Sequence, residues 1–66
     1  MKWDKIIDLV LDKYKSAIYD VSRDEILVDT EEEANMIAND IDKMRDTNDS
    51  HTSYYEDENV WAVYID

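Results

Sequence analysis

The spacing of apolar residues divides this chain into segments of two different periods, and that division limits its fold more than any other feature. Trp3, Ile6, Ile7, Val10, Leu11 and Tyr14 recur at i, i+3, i+4, i+7, i+8 and i+11, which is one apolar stripe of an amphipathic helix. The stripe predicts a helix over residues 2–16. Asp4 falls in its first turn and Lys13 and Lys15 in its last, where the helix dipole favours an anion and cations respectively. Ala34, Ile37, Ala38, Ile41 and Met44 repeat the pattern. Ahead of them Thr30-Glu31-Glu32-Glu33 has the form T-x-x-E, in which Thr30 caps a helix and Glu33 reaches back to the Thr30 amide. This second helix is expected over residues 31–45.

Between the helices, Ala17-Ile18-Tyr19-Asp20-Val21 and Ile26-Leu27-Val28-Asp29 are short β-branched and apolar runs on either side of Ser22-Arg23-Asp24-Glu25. They read as a hairpin. The chain has no Gly, so a primed turn is disfavoured and a type I geometry is expected. After the second helix, Asp46 to Ser53 reads as a polar loop, Tyr54-Tyr55 as a short strand, Glu56 to Asn59 as a turn and Val60 to Ile65 as the final strand. That last run is apolar at nearly every position, which predicts a central strand covered on both faces. The sum is a single α+β domain over residues 1–66, with two helices packed on a mainly antiparallel sheet of three to four strands in the order α-β-β-α-(β)-β. A chain of this length buries only about 60% of the surface its unfolded form exposes. Without Cys it has no disulfide or thiolate metal site to staple a thin core.

The first residues form a charged, periodic stretch with no continuous apolar segment, so no signal peptide is read there, and no run approaches a membrane span. A cytoplasmic protein is expected. Its net charge of −11 is unevenly distributed. Residues 1–23 are nearly neutral, whereas residues 24–66 set Lys43 and Arg45 against fourteen carboxylates. Direct binding to nucleic acid or to an anionic membrane needs a basic footprint and is disfavoured. A basic protein partner is favoured, with the chain itself a monomer or weak homodimer.

Catalysis needs a nucleophile or base with an orienting partner, and the chain offers one His and no Cys. No catalytic residue, cofactor site or metal site is expected, and His51 reads as an ordinary loop side chain. Asp46-Thr47-Asn48-Asp49-Ser50-His51 begins like a calcium loop. It departs where that loop is strict, with His51 in place of Gly at position 6, Asp57 in place of Glu at position 12, and a strand in place of the second helix.

The acidic series is the remaining signal. Carboxylates three or four residues apart on a helix are about 5–6 Å apart, a separation of the order of that between phosphates along one nucleic-acid strand. A rigid array of them can engage the donors that a DNA-binding cleft holds ready for phosphate, with apolar anchors adding residence time. The candidate partner-binding residues are Asp24, Glu25, Glu32, Met36, Asp40, Tyr54, Tyr55, Glu56, Asp57 and Glu58. Met36 is included because it falls opposite the apolar stripe of its helix.

Asp24-Glu25-Ile26-Leu27 followed by Thr30-Glu31-Glu32, then Asp57-Glu58-Asn59-Val60 and Trp61-Ala62-Val63, resemble segments of the phage-encoded uracil-DNA glycosylase inhibitors, which are small acidic DNA mimics. The corresponding family segments are an E-S-I-L strand, a P-E-E helix start, D-E-N-V and W-A-L-V. Here the last two are fused into one run, and Glu33 stands at the family's apolar position after P-E-E. The resemblance implies an inhibitor encoded by a phage or mobile element that blocks the DNA-binding surface of a host protein, such as uracil-DNA glycosylase or a defence nuclease. It also implies contact through Asp24, Glu32, Met36 and Ile37. The other reading open at this point is a general acidic interaction module or small subunit without DNA mimicry. The two differ in geometry, because mimicry requires paired rows of carboxylates on one face.

Overall fold

Both helices form where the apolar stripes place them. The computed structural model describes residues 3–65, with α1 at Trp3–Lys13, β1 at Ile18–Asp20, β2 at Glu25–Val28, α2 at Glu31–Arg45, β3 at Ser50–Tyr55 and β4 at Val60–Ile65. Helix α1 ends three residues earlier than its stripe predicts, after the Tyr14 amide bonds to the Val10 carbonyl at 2.8 Å. Residue 2, its predicted start, lies outside the described residues. Helix α2 has the predicted bounds.

The strands form one antiparallel sheet in the order β1-β2-β4-β3. Both hairpins close with four-residue loops, over 21–24 and 56–59. Each ends on a residue in the left-handed region, Asp24 at φ 57° and Asn59 at φ 55°. Asp and Asn tolerate that conformation better than other side-chain-bearing residues, and so they replace the glycine this chain lacks. In the first loop Asp20 Oδ1 also accepts from the Ser22 amide at 3.0 Å, a local bond that tightens the turn.

The polar stretch expected as a loop from Asp46 to Ser53 is shorter than that. β3 begins at Ser50 and pairs residue for residue with β4 as far as Tyr55 opposite Val60. Its Ser, His and Thr residues carry little apolar signal, but an edge strand is held by its backbone ladder and needs little burial.

Strand β4 is central, as predicted, but its two faces differ. On one face Val63 of β4 and Ile26 and Val28 of β2 meet Ile6, Ile7, Val10, Ala34, Ile37 and Ile41 of the helices in a single core, with Trp61, Tyr19 and Ile65 packed at its margin. On the other face are Ile18, Leu27, Val60, Ala62 and Tyr64, which the strand alternation turns away from the helices. Ala62 is fully buried yet stands apart from the core cluster. Both sides are covered at the middle of the strand, as expected, but among the described residues the cover on this side is not a helix. A polar strap crosses it instead. Tyr55 of β3 donates to Glu25 Oε1 of β2 at 2.5 Å, the Arg23 guanidinium lies 4.6 Å from the centre of the Tyr55 ring, and Arg23 pairs with Glu58 at 2.6 Å. Large neighbours can thus shield a small side chain in the middle of the sheet. No helix among the described residues is long and apolar enough to cross a membrane.

Candidate functional site

The strand register decides where the carboxylates gather. Val28 pairs with Trp61 and Tyr55 with Val60, so the end of β2 and the start of β4 lie at the same end of the sheet. The β2–α2 junction therefore places Asp29, Glu31 and Glu32 at the same end of the sheet as the β3–β4 turn with Glu56, Asp57 and Glu58. Asp29, Glu31, Glu32, Glu56 and Asp57 are all exposed. None of these five forms a side-chain hydrogen bond or ion pair among the described residues. Glu58 is the exception at this end, because Arg23 reaches it across the open face.

Local structure explains why this end can hold so much charge. Thr30 is extended at φ −126° and ψ 152°, and its Oγ1 accepts from the Glu33 amide at 3.2 Å. The three glutamates of the first turn then face the positive end of the helix dipole. The reciprocal half of the predicted capping box does not form. Glu33 Oε1 lies 3.3 Å from the Thr30 hydroxyl, and Oε2 accepts from Ser16 Oγ at 2.8 Å. The Glu33 carboxylate is drawn toward the α1–β1 connection and away from the Thr30 amide.

Several candidate binding residues make bonds within the fold. Asp24, which the resemblance assigned to the partner, accepts from Trp3 Nε1 at 2.7 Å and from the Tyr19 hydroxyl. It fastens the start of α1 to the first hairpin, at the end of the sheet away from the acidic cluster. Glu25 is the acceptor of the Tyr55 strap. Asp40 is held by Lys13 Nζ at 2.8 Å and by the Tyr14 hydroxyl at 2.6 Å. Those two bonds, led by the Lys13 one, hold its carboxyl below the usual carboxylate range despite partial burial. Helix geometry accounts for the change of role. Residues 32, 36 and 40 are four apart, and each step drifts about 40° around the axis. Glu32 and Met36 thus stay on the outer face while Asp40 turns toward α1.

Met36 is 49% exposed, as its position opposite the stripe predicts. Ile37, also assigned to the partner by the resemblance, is fully buried in the core and has no surface to offer. Tyr54 is 45% exposed, lies 5.1 Å from the Trp61 ring centroid and donates to Asn59 Oδ1 at 2.7 Å. Tyr55 is half-buried beneath Arg23, and its hydrogen bond to Glu25 raises its phenol above the ordinary value. Of the ten candidates, Glu32, Met36, Glu56 and Asp57 remain free on the surface, and Tyr54 half so.

Asp29 and Glu31 join this site only in the structure, because their neighbours come from a turn some thirty residues away. The loop that began like a calcium site is tied to α2 at several points. Asp49 pairs with Arg45 at 3.2 Å, the Ser50 amide donates to Asp42 Oδ1 at 3.1 Å, and Asp46 caps α2 in the left-handed conformation. No group of three or more His, Cys, Asp or Glu side chains that could hold a metal ion occurs among the described residues. A groove of ≈ 430 Å³ lies between α1 and α2, lined by Leu9, Val10, Tyr14 and Met44 together with Asp12, Lys13, Asp40 and Lys43. No protein-family model, curated protein or solved structure matches this chain.

Proposed function

We propose that this protein is a non-catalytic binding domain that docks the acidic end of its sheet onto a basic surface of another protein in the cytoplasm. The observation that carries the reading is that Asp29, Glu31 and Glu32 lie at the same end of the sheet as Glu56 and Asp57, all exposed and without ion pairs among the described residues. Unpaired carboxylates held on a fixed scaffold steer a cationic partner and raise its association rate. Met36, one turn along α2 from Glu32, supplies an apolar contact beside them.

Blocking of a host DNA-binding surface, as in a DNA-mimic inhibitor, is the narrower form of this reading. It is supported by two acidic segments from separate connections at one end of the sheet, an arrangement that can present charge in more than one row. The inward turn of Asp40 and Asp42 limits such an array to the sheet end and leaves no row along α2.

The test is a competition experiment. The immobilised domain captures a basic protein from bacterial lysate, and the purified partner is titrated with the domain in the presence and absence of duplex DNA. Displacement by DNA supports mimicry, whereas a ternary complex leaves the general acidic module. Charge reversal as Glu32→Lys with Asp57→Lys is expected to cost at least about tenfold in affinity, ~1.4 kcal/mol. Asp4→Lys with Asp8→Lys on α1 should cost little. Equal losses from both pairs would mean that only the long-range field acts, and would remove the localised site.

A further inference from the structure

The sheet has two edges, and they are built differently. β1 is three residues long and carries Asp20. β3 is six residues long, Ser-His-Thr-Ser-Tyr-Tyr, with no Asp, Glu, Lys, Arg or Pro. It pairs with β4 without a bulge. Short length, charge, proline and bulges are the devices that keep an edge strand from pairing with another chain, and β3 has none of them in a protein whose residues are 38% charged. Backbone groups at both ends of this strand make bonds outside the β4 ladder. The Ser50 amide donates to Asp42 Oδ1 and the Tyr55 carbonyl accepts from the Glu58 amide. From Thr52 to Tyr54 the outer edge borders no other strand.

We propose that the outer edge of β3 is a docking site for an extended segment of the basic partner, which adds to the four-stranded sheet as a fifth strand. This deepens the acidic-end reading and rests on it for the partner's charge. The occupant follows from the flanks. Asp46 precedes β3, as does an Asp49 already paired with Arg45, and Glu56 and Asp57 follow it, so a strand lying along the edge, about 20 Å long for six residues, meets at either end a carboxylate without an ion pair among the described residues. Lysine or arginine at both ends of the segment matches that pattern, with β-branched residues between them. A second copy of this chain does not match it. Antiparallel self-pairing that sets Ser50 opposite Tyr55 also sets Glu56 opposite Asp49, and parallel pairing sets each carboxylate beside its own counterpart. Like charges directly opposite one another destabilise a strand pair.

The test uses the whole protein and a synthetic peptide with a Thr-Val-Thr-Val-Thr centre and lysines at both ends. Three comparison peptides are needed. One has glutamates in place of the lysines, and the other two are N-methylated on one or the other alternate set of central residues. The lysine peptide is expected to bind and to slow hydrogen exchange at backbone amides within Thr52 to Tyr54 while leaving β1 unchanged. One methylated peptide is expected to lose at least about tenfold in affinity, the loss that removing edge hydrogen bonds produces. Equal binding of both methylated peptides, or unchanged exchange on β3, would overturn edge docking and leave the acidic-end reading standing. Equal binding of the glutamate peptide would overturn the acidic reading instead. Failure of every peptide to bind would overturn the proposal.

Discussion

Asp24 and Asp46 have nearly the same backbone, at φ 57° and 56°, and opposite prospects on replacement by glycine. A side chain in the left-handed region costs energy that glycine avoids. The Asp46 side chain has no bond among the described residues, and only its backbone amide is used, on the Asp42 carbonyl at the end of α2. Asp46→Gly should therefore stabilise the domain by about 0.5–1 kcal/mol, seen as a higher urea midpoint. Asp24→Gly should lower the midpoint, because Trp3 and Tyr19 lose their acceptor. Asp40 gives a prediction with a pH sign. Lys13 first, and then Tyr14, hold its carboxyl below the usual range in the folded state. The stability it contributes is present above the ordinary carboxyl pKa and is lost as pH falls through the lower folded value. Asp40→Asn should thus destabilise at pH 7 and lose most of that effect in strong acid, below the usual carboxylate range. Tyr14→Phe removes one donor and should cost about 1 kcal/mol at pH 7. Urea melts of the two variants at both pH values would check this.

Helix α2 was legible in the sequence because its boundary, period and cap all agree locally. Thr30 caps it, a carboxylate-rich first turn follows, and the apolar stripe runs to Met44. Thr30→Ala should cost about 1 kcal/mol, with the loss of helical circular dichroism and of tertiary signal coinciding in the melt. Strand β3 was legible only at Tyr54 and Tyr55. The residues before them have no apolar alternation, and what makes them a strand is the β4 backbone beside them, which no local pattern records. The two-sided cover predicted for β4 is present at Ala62 and Val63, but what supplies it on the outer face was not legible. An unbroken apolar run is expected for a strand between two helix layers, but here its outer face is closed by side chains reaching across from β2 and β3. The candidate site was legible at Glu32, Met36, Glu56 and Asp57, whose exposure follows from turn or helix position. It was not legible at Asp24, Glu25 and Asp40, where distant aromatic and lysine side chains claim the carboxylates.

At the scale of the whole molecule, charge sets two responses to salt that should run in opposite directions. The domain measures 32 × 20 × 20 Å and carries −11, so at about 10 mM salt, where the screening length is about 30 Å, its carboxylates repel one another across the whole structure. At about 150 mM that length is about 8 Å, and only neighbours still interact. The five ion pairs among the described residues are all at least partly exposed, and exposed pairs contribute little each. Relief of repulsion should therefore exceed their weakening, so the melting temperature of the free domain is expected to rise by several degrees over this range. For a domain of this size, a gain of 1 kcal/mol corresponds to about 4–8 °C. The complex with a basic partner should respond the other way, losing affinity over the same range as attraction at the acidic end is screened. Calorimetry of binding and a thermal melt of the free domain, in matched buffers, measure both slopes. A melting temperature that falls with salt would show that the ion pairs outweigh the repulsion. Affinity that does not change with salt would show that the partner is held by apolar and backbone contacts, and that the carboxylates at the sheet end do not dock it.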